Sequence, residues 1–122
     1  VVINAAGSMP GSGGVICIDD SQSIVRQIAR LARFYAHESC AQCSQCREGT
    51  AWTTRILERI ADGGGTMEDL DTLLSIADNM TGKTICVLSD SCAAPVASSI
   101  AKFRDEYMAR MRREAPIDAL TV

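Results

Sequence analysis

Several residue types on which common functions depend are scarce in this chain of 122 residues. Aromatic residues make up 4% of it, there is one histidine, and no apolar run is long enough to cross a bilayer. The 12 Lys and Arg against 15 Asp and Glu give a net charge of -3, which argues against a nucleic-acid-binding surface. No basic segment followed by an apolar one opens the chain, so we predict no secretory signal.

Residue patterns typical of autonomous catalysis are also missing. Gly11–Gly14 precede a β-prone segment, whereas a dinucleotide-binding glycine loop follows a strand and opens a helix. The sequence shows no Ser–His–Asp arrangement and no paired carboxylates that stand out. We therefore predict no catalytic residue in this chain.

The overall composition is that of a globular domain. Hydrophobic residues account for 47% and charged residues for 22%, and the length is sufficient for one core. The first residue is Val1, not Met, so we expect a piece of a longer protein. Residues 1–20 are rich in glycine and include the β-prone run Val15–Ile18, which predicts one short strand. A lone strand is not stable, so we expect it to pair upstream of Val1 or with a partner chain.

After residue 20 the apolar residues recur at helical spacing and predict a mainly α fold. Four helices are expected, from about Gln22 to His37, Cys46 to Ala61, Thr66 to Met80, and from a first turn containing Pro95 to Ala115–Pro116. Trp52 is expected to face inward, as a core or interface residue. Short connections predict an up-down four-helix bundle over residues 21–122, in which the first and third connections share one pole.

Cysteine is the residue type in excess, with six in the chain. They are Cys17, Cys40, Cys43, Cys46, Cys86 and Cys92. Three lie within seven residues at the first connection and two lie at the third, so the predicted bundle brings five to one pole. Without a secretory signal, a metal or cluster site is favoured over disulfides. Cys17, on the predicted strand, is expected to be an apolar filler.

The spacing of these cysteines favours a [4Fe–4S] cluster. In Cys40-x2-Cys43-x2-Cys46 each thiolate can reach a separate iron, and a fourth thiolate closes the shell. For that ligand we favour Cys86, in a β-prone stretch, over Cys92, which suits a small buried position near the fourth helix. The alternative is zinc held by two cysteine pairs, which leaves one cysteine of the triple surplus.

Two charged residues beside the cysteines have two interpretations each. Arg47, at the start of the second helix, either raises the potential of a cluster or forms a salt bridge with Glu48. His37 ends the first helix, where a cation complements the helix dipole, and we favour this role over metal ligation.

Two segments resemble the NADH-binding flavoprotein (51 kDa, or F) subunit of respiratory complex I. Residues 37–52, HESCAQCSQCREGTAW, are similar to its cluster motif H-E-S-C-G-x-C-x-P-C-R-E-G, and residues 82–90, GKTICVLSD, to its G-K-T-I-C-A-L-G-D. The resemblance implies that Cys40, Cys43, Cys46 and Cys86 hold the cluster. Departures from the family pattern are Ala41 for Gly, Gln45 for Pro, Ser89 for Gly and Ala94 for Trp.

The family resemblance also implies a place in a larger protein. Residues 1–20 would end a small ubiquitin-like (SLBB-type) domain, and residues 21–122 would be the cluster-binding four-helix domain. An upstream part would bind FMN and NADH, and electrons would pass singly through this cluster to neighbouring iron–sulfur subunits and quinone. The segment would therefore belong to an NADH dehydrogenase (quinone) complex without being active alone.

The expected surroundings follow from the same resemblance. The partners are the upstream FMN- and NADH-binding part and the neighbouring iron–sulfur subunits, with no nucleic acid and no direct membrane span. The expected location is the cytoplasmic face of a bacterial inner membrane or the mitochondrial matrix side. Three alternatives stay open: the equivalent subunit of a soluble NAD-dependent hydrogenase or formate dehydrogenase, a zinc-stabilised interaction module without redox role, and a free-standing ferredoxin-like carrier.

Overall fold

The computed structural model describes residues 2–112, which form six α-helices and no strand. The helices are α1 (Val2–Ala5), α2 (Ile24–Glu38), α3 (Ser44–Ala61), α4 (Met67–Met80), α5 (Leu88–Lys102) and α6 (Arg104–Arg112). The predicted mainly helical class is therefore confirmed. None of the helices in the described part combines the length and apolar character that a bilayer crossing requires.

The four longer helices pack in chain order around one core. Each contacts the next, α2 also contacts α5, and the short α6 packs against α3 and α5. The largest fully buried apolar side chains are Tyr107, Leu57, Ile60, Leu70, Leu73, Met80, Ile100, Val25 and Val96. Gly49 allows α3 and α4 to approach closely, because a Cβ there would lie 2.6 Å from the Met80 sulfur.

Local signals explain where the first helices begin and end. The Ser23 hydroxyl accepts a hydrogen bond from the Arg26 N–H at 3.4 Å, which caps α2. At α4, the carboxylate of Asp69 accepts the Thr66 N–H at 2.9 Å, as in a capping box. Gly65 turns the chain between α3 and α4, where a Cβ would overlap the Ile60 side chain. The predicted bounds of these helices therefore lie within two residues of those observed.

The strand predicted over Val15–Ile18 is not confirmed. These residues have no regular structure, and Val15 and Ile16 are almost fully exposed. The physical reason is that an extended segment needs a neighbouring strand for its backbone hydrogen bonds, and no segment within residues 2–112 provides one. Cys17 is exposed with them within the described residues, so its role as an apolar filler of a paired strand stays a prediction.

The prediction for the last helix was wrong at its start. α5 begins at Leu88, well before Pro95, and ends at Lys102, and after Phe103 the separate helix α6 begins at Arg104. Pro95 has no N–H and cannot donate a helical hydrogen bond. It is tolerated inside α5 because the burial of Cys92, Ala93 and Val96 around it stabilises the helix and offsets this loss. The predicted end at Ala115–Pro116 lies outside the described residues.

Candidate metal centre

Two segments, here called the first cysteine loop (residues 39–46) and the second cysteine loop (residues 81–87), line one cavity of about 260 Å³. Cys40, Cys43 and Cys46 come from the first loop and Cys86 from the second. The other lining residues are Glu38, Ser39, Gln42, Thr84, Ile85 and Leu88, and the walls are mostly apolar. All four predicted ligands therefore face the same cavity, although 39 residues separate Cys46 from Cys86.

The first cysteine loop is fixed at both ends by helix termini. The Ser39 N–H donates to the Tyr35 carbonyl at 3.0 Å and ends α2. The residue before α3 is Cys43, whose carbonyl accepts the Arg47 N–H at 2.9 Å. Cys40 and Cys43 therefore sit in a short turn between two helices, and Cys46 lies in the first turn of α3.

Ala41 stands in the left-handed region of the backbone, with a φ of 64°. This conformation costs an L-residue roughly 1–2 kcal/mol, whereas glycine adopts it freely. The departure from the family's glycine thus falls at a position where the turn itself favours glycine. The Ala41 N–H donates to the Ser39 hydroxyl oxygen at 3.3 Å, which helps to hold the turn.

Arg47 lies across the same turn. Its Nη1 donates to the Ala41 carbonyl at 2.8 Å, and its Nε lies 3.1 Å from Glu48 Oε1. The salt bridge with Glu48 is therefore present, and the guanidinium also ties α3 back to the cysteine turn. Its positive charge remains within the first cysteine loop, so the two interpretations of Arg47 are compatible.

The four cavity cysteines differ in exposure. Cys46 is buried at 7%, Cys43 is intermediate, and Cys40 and Cys86 are exposed. The Cys46 sulfur lies 3.3 Å from the Ser39 hydroxyl oxygen. In the second cysteine loop, the Thr84 hydroxyl donates to the Cys86 carbonyl at 2.9 Å. That loop consists of bends and turns, so the predicted β-prone stretch is not extended.

Cys92 does not line the cavity. It is fully buried in the apolar core on α5, as expected of a small packed residue. Burial, together with the neighbouring Cys46, raises the pKa of the Cys92 thiol to about 12. Its position in the core, outside the cavity lining, supports Cys86 over Cys92 as the fourth predicted ligand.

Two other residues singled out in the sequence also lie away from the cavity walls. His37 is in the last turn of α2, where its Nδ1 lies 3.1 Å from Glu38 Oε1, and its side chain is exposed. Trp52 was expected to face inward, but half of its surface is exposed. It borders a separate groove between α3 and α4 with Gly49 and Ile76. The core alternative for Trp52 is therefore wrong.

The donor set of this cavity can be tested against two kinds of metal group, a single zinc ion and a cluster. Within residues 2–112, no three His, Cys, Asp or Glu side chains converge as ligands of one metal ion. Tetrahedral zinc needs four sulfurs at about 2.3 Å from one point. A four-iron cluster instead presents a separate iron to each thiolate, so its ligands surround a larger space. Four cysteines from two loops that line one apolar cavity of about 260 Å³ are a donor set that fits a cluster.

Sequence reasoning missed one residue of this site, Ser39. Its hydroxyl contacts the most buried of the four cysteines, but helical periodicity conveys nothing about such a contact. The available signal was its position at a helix end, directly before the first cysteine of the motif.

The chain is similar to known proteins over most of its length. A family model described as the NADH-ubiquinone oxidoreductase-F iron-sulfur binding region matches residues 26–110. The F subunit of NADH-quinone oxidoreductase from Mycobacterium tuberculosis is 48% identical over 109 residues, which are 89% of this chain and 24% of that protein. For the F subunit of Streptomyces coelicolor the values are 49% over 105 residues, 86% and 23%, and for that of Rickettsia rickettsii 44% over 110 residues, 90% and 26%.

A solved structure is similar as well. A chain of an NAD⁺-reducing [NiFe]-hydrogenase in the H₂-reduced state superposes with a TM-score of 0.74 at 34% identity, covering 80% of this chain and 17% of that one. This chain spans about a quarter of the length of the relatives from the three bacteria. The resemblance stated from the cysteine motifs is confirmed: the chain belongs to the family of the NADH-ubiquinone oxidoreductase-F iron–sulfur binding region.

Proposed function

We propose that this chain is the electron-transfer segment of the flavoprotein subunit of an NADH:quinone oxidoreductase. In that role it would carry single electrons from reduced FMN through a [4Fe–4S] cluster towards further clusters. The observation that carries the proposal is the single cavity lined by Cys40, Cys43, Cys46 and Cys86 from two loops. Its spread of four thiols suits the cluster type that the family implies.

These four cysteines would hold the cluster, and the chain supplies little else that is chemically reactive. A [4Fe–4S] cluster contributes one-electron oxidation and reduction at a potential that its surroundings set. Cys46 limits access of water on the α3 side, because it is buried. Arg47 adds positive charge beside the thiolates. Cys86, which is exposed, leaves the cavity open on the side of the second cysteine loop.

The proposal includes the architecture of the chain. We propose an up-down four-helix bundle within residues 21–122, with the cluster at the pole where both cysteine loops meet. The packing of α2 to α5 in chain order supports it. Residues 1–20 would end a preceding ubiquitin-like domain, and the exposed apolar side chains of Val15 and Ile16 are surfaces that such a domain would cover.

The rest of the protein is proposed by analogy with its relatives, of which this chain spans about a quarter. An upstream part would bind FMN and NADH, and neighbouring iron–sulfur subunits would receive the electrons. The complex would place this segment on the cytoplasmic face of a bacterial inner membrane or on the mitochondrial matrix side. The second candidate parent is an NAD-reducing hydrogenase, which the structural similarity favours.

Anaerobic metal analysis of the intact chain tests the proposal. We expect about four irons and four acid-labile sulfides per chain, and a reduced-cluster signal in electron paramagnetic resonance after dithionite treatment. About one zinc per chain with no sulfide would contradict the redox function.

A pair of cysteine variants tests the ligand set. Cys86→Ser should lose the four-iron cluster, whereas Cys92→Ser should keep it, because Cys86 lines the cavity and Cys92 does not. Iron content and the reduced-state spectrum of both variants provide the measurement. Loss of the cluster in Cys92→Ser alone would overturn the assignment.

A further inference from the structure

Ser39 is placed between helix α2 and the first cysteine, and its side chain contacts a predicted ligand. Its hydroxyl oxygen lies 3.3 Å from the sulfur of Cys46. Within the part of the chain that the structure describes, no other side-chain hydrogen bond involves a cysteine sulfur. Cys46 is also the one predicted ligand that is buried, and its contact with Ser39 is partly buried.

The chemistry of a metal-bound sulfur determines which atom donates. The Ala41 N–H donates to the Ser39 hydroxyl oxygen at 3.3 Å, so this oxygen already acts as an acceptor. Its own proton is then free for another partner. A cysteine that binds iron is a thiolate without a proton, and it can only accept. The hydrogen bond in the loaded protein therefore runs from the Ser39 hydroxyl to the Cys46 sulfur.

Hydrogen bonds hold the backbone on both sides of Ser39. The Ser39 N–H is fixed by the Tyr35 carbonyl at 3.0 Å at the end of α2. On the other side, Arg47 Nη1 holds the Ala41 carbonyl at 2.8 Å. The backbone that carries the Ser39 hydroxyl is therefore fixed at a position where Oγ lies 3.3 Å from the Cys46 sulfur.

We propose that Ser39 is a positioning residue that raises the reduction potential of the cluster through its hydrogen bond to Cys46. The inference rests on the proposed function. One-electron reduction adds one negative charge to the thiolate-ligated group, and a donor at a sulfur stabilises the reduced form more than the oxidised form. The effect is strengthened at Cys46 because its buried position has a low local dielectric constant.

The test is a redox titration of the anaerobically purified chain, reduced with dithionite and followed by electron paramagnetic resonance. The titration is compared at the wild-type midpoint potential, where half of the wild-type cluster is reduced. At this potential the ratio of reduced to oxidised cluster in Ser39→Ala should be about three- to tenfold lower than in the wild type, and tenfold corresponds to about 59 mV for one electron. Ser39→Thr retains the hydroxyl and should stay near the wild-type value.

Ser98→Ala is the matched control. Ser98 lies on α5 outside the cavity lining, and its exposed hydroxyl donates to the Pro95 carbonyl at 3.3 Å and not to a sulfur. We expect its potential to stay near that of the wild type, with unchanged iron and sulfide content.

The measurements distinguish a failure of the proposed function from a failure of the proposed role of Ser39. A wild-type chain without iron and sulfide would refute the proposed function, and the role of Ser39 with it. A Ser39→Ala protein with full iron content and the wild-type potential would refute only the role of Ser39. Ser39→Gly serves as a second hydroxyl-free variant. If both hydroxyl-free variants fail to hold iron while Ser39→Thr succeeds, Ser39 acts in assembly and the inference is wrong.

Discussion

The two loops that line the cysteine cavity hold their thiols in different ways. The first cysteine loop joins two helix ends and is tied by Ser39 to Tyr35 and by Arg47 to Ala41. The second cysteine loop presents Ile85 and Val87 at 82% and 75% exposure, on either side of the exposed Cys86. Three thiols are therefore placed by the helical framework, and the fourth is placed by a loop with little apolar anchoring.

The two cysteine loops are expected to differ in how easily they open locally. Segments with many buried contacts resist local opening, whereas exposed loops with few contacts open at low cost in free energy. We therefore expect the first cysteine loop to keep its conformation without metal, and the second to be fixed mainly when it shares a bound group. Substitutions in each loop therefore measure this difference in anchoring.

The largest effect should separate Cys46 from Cys86 in the metal-free protein. Cys46→Ser places a polar hydroxyl at a buried position and should lower the free energy of unfolding by roughly 1–3 kcal/mol. Cys86→Ser changes an exposed side chain and should alter it by less than about 0.5 kcal/mol. Urea unfolding followed by circular dichroism, with chelator and thiol reductant present, gives both values. Equal losses would show that the two loops are equally well anchored.

A smaller loss is expected when the tie across the first cysteine loop is removed. Arg47→Ala deletes the 2.8 Å hydrogen bond to the Ala41 carbonyl and should lower the free energy of unfolding by about 1 kcal/mol. The value is at the low end for a charged donor, because about half of the Arg47 side chain is exposed to solvent. Urea unfolding measures it.

Arg55→Ala is the control for Arg47. Arg55 is exposed on the same helix, so its removal should change the unfolding free energy by less than about 0.5 kcal/mol. If Arg47→Ala is as mild as this control, Arg47 contributes nothing measurable to the order of the loop.

The smallest effect should be a gain in stability. Ala41→Gly relieves the left-handed conformation at a φ of 64° but adds freedom to the unfolded chain, for a net gain of about 0.5–1 kcal/mol. Ala51→Gly, in the middle of α3, should instead lose about 1 kcal/mol, because glycine is unfavourable inside a helix. Thermal unfolding of the two variants gives the comparison, and a loss of stability in Ala41→Gly would count against strain at this turn.

Periodicity and end signals were sufficient to predict α2, α3 and α4 from the sequence. They were insufficient where tertiary contacts override local preference. Pro95 normally belongs to a first turn, but burial of Cys92 and Val96 carries the helix through it. At Val15–Ile18 the β-prone side chains predicted a strand whose pairing partner the described residues do not provide.

At the site, too, the sequence pattern predicts which residues take part but not the contacts between their side chains. Cysteine spacing and the family motifs selected four thiols, and the structure brings these four to one cavity. Ser39 contacts Cys46 at 3.3 Å because of the way the first cysteine loop folds, and residue spacing does not specify that fold. Trp52 has helical spacing with buried residues but lies at the edge of a groove, because spacing gives a face only within a few tens of degrees.

The separation of the two cysteine loops along the chain has a consequence for folding. A group bound to Cys46 and Cys86 would cross-link positions separated by 39 residues. Such a link restricts the unfolded chain as a disulfide would, and loop-closure entropy for this length corresponds to about 4 kcal/mol. The group that carries electrons would thus also act as a covalent staple between the two halves of the helical domain.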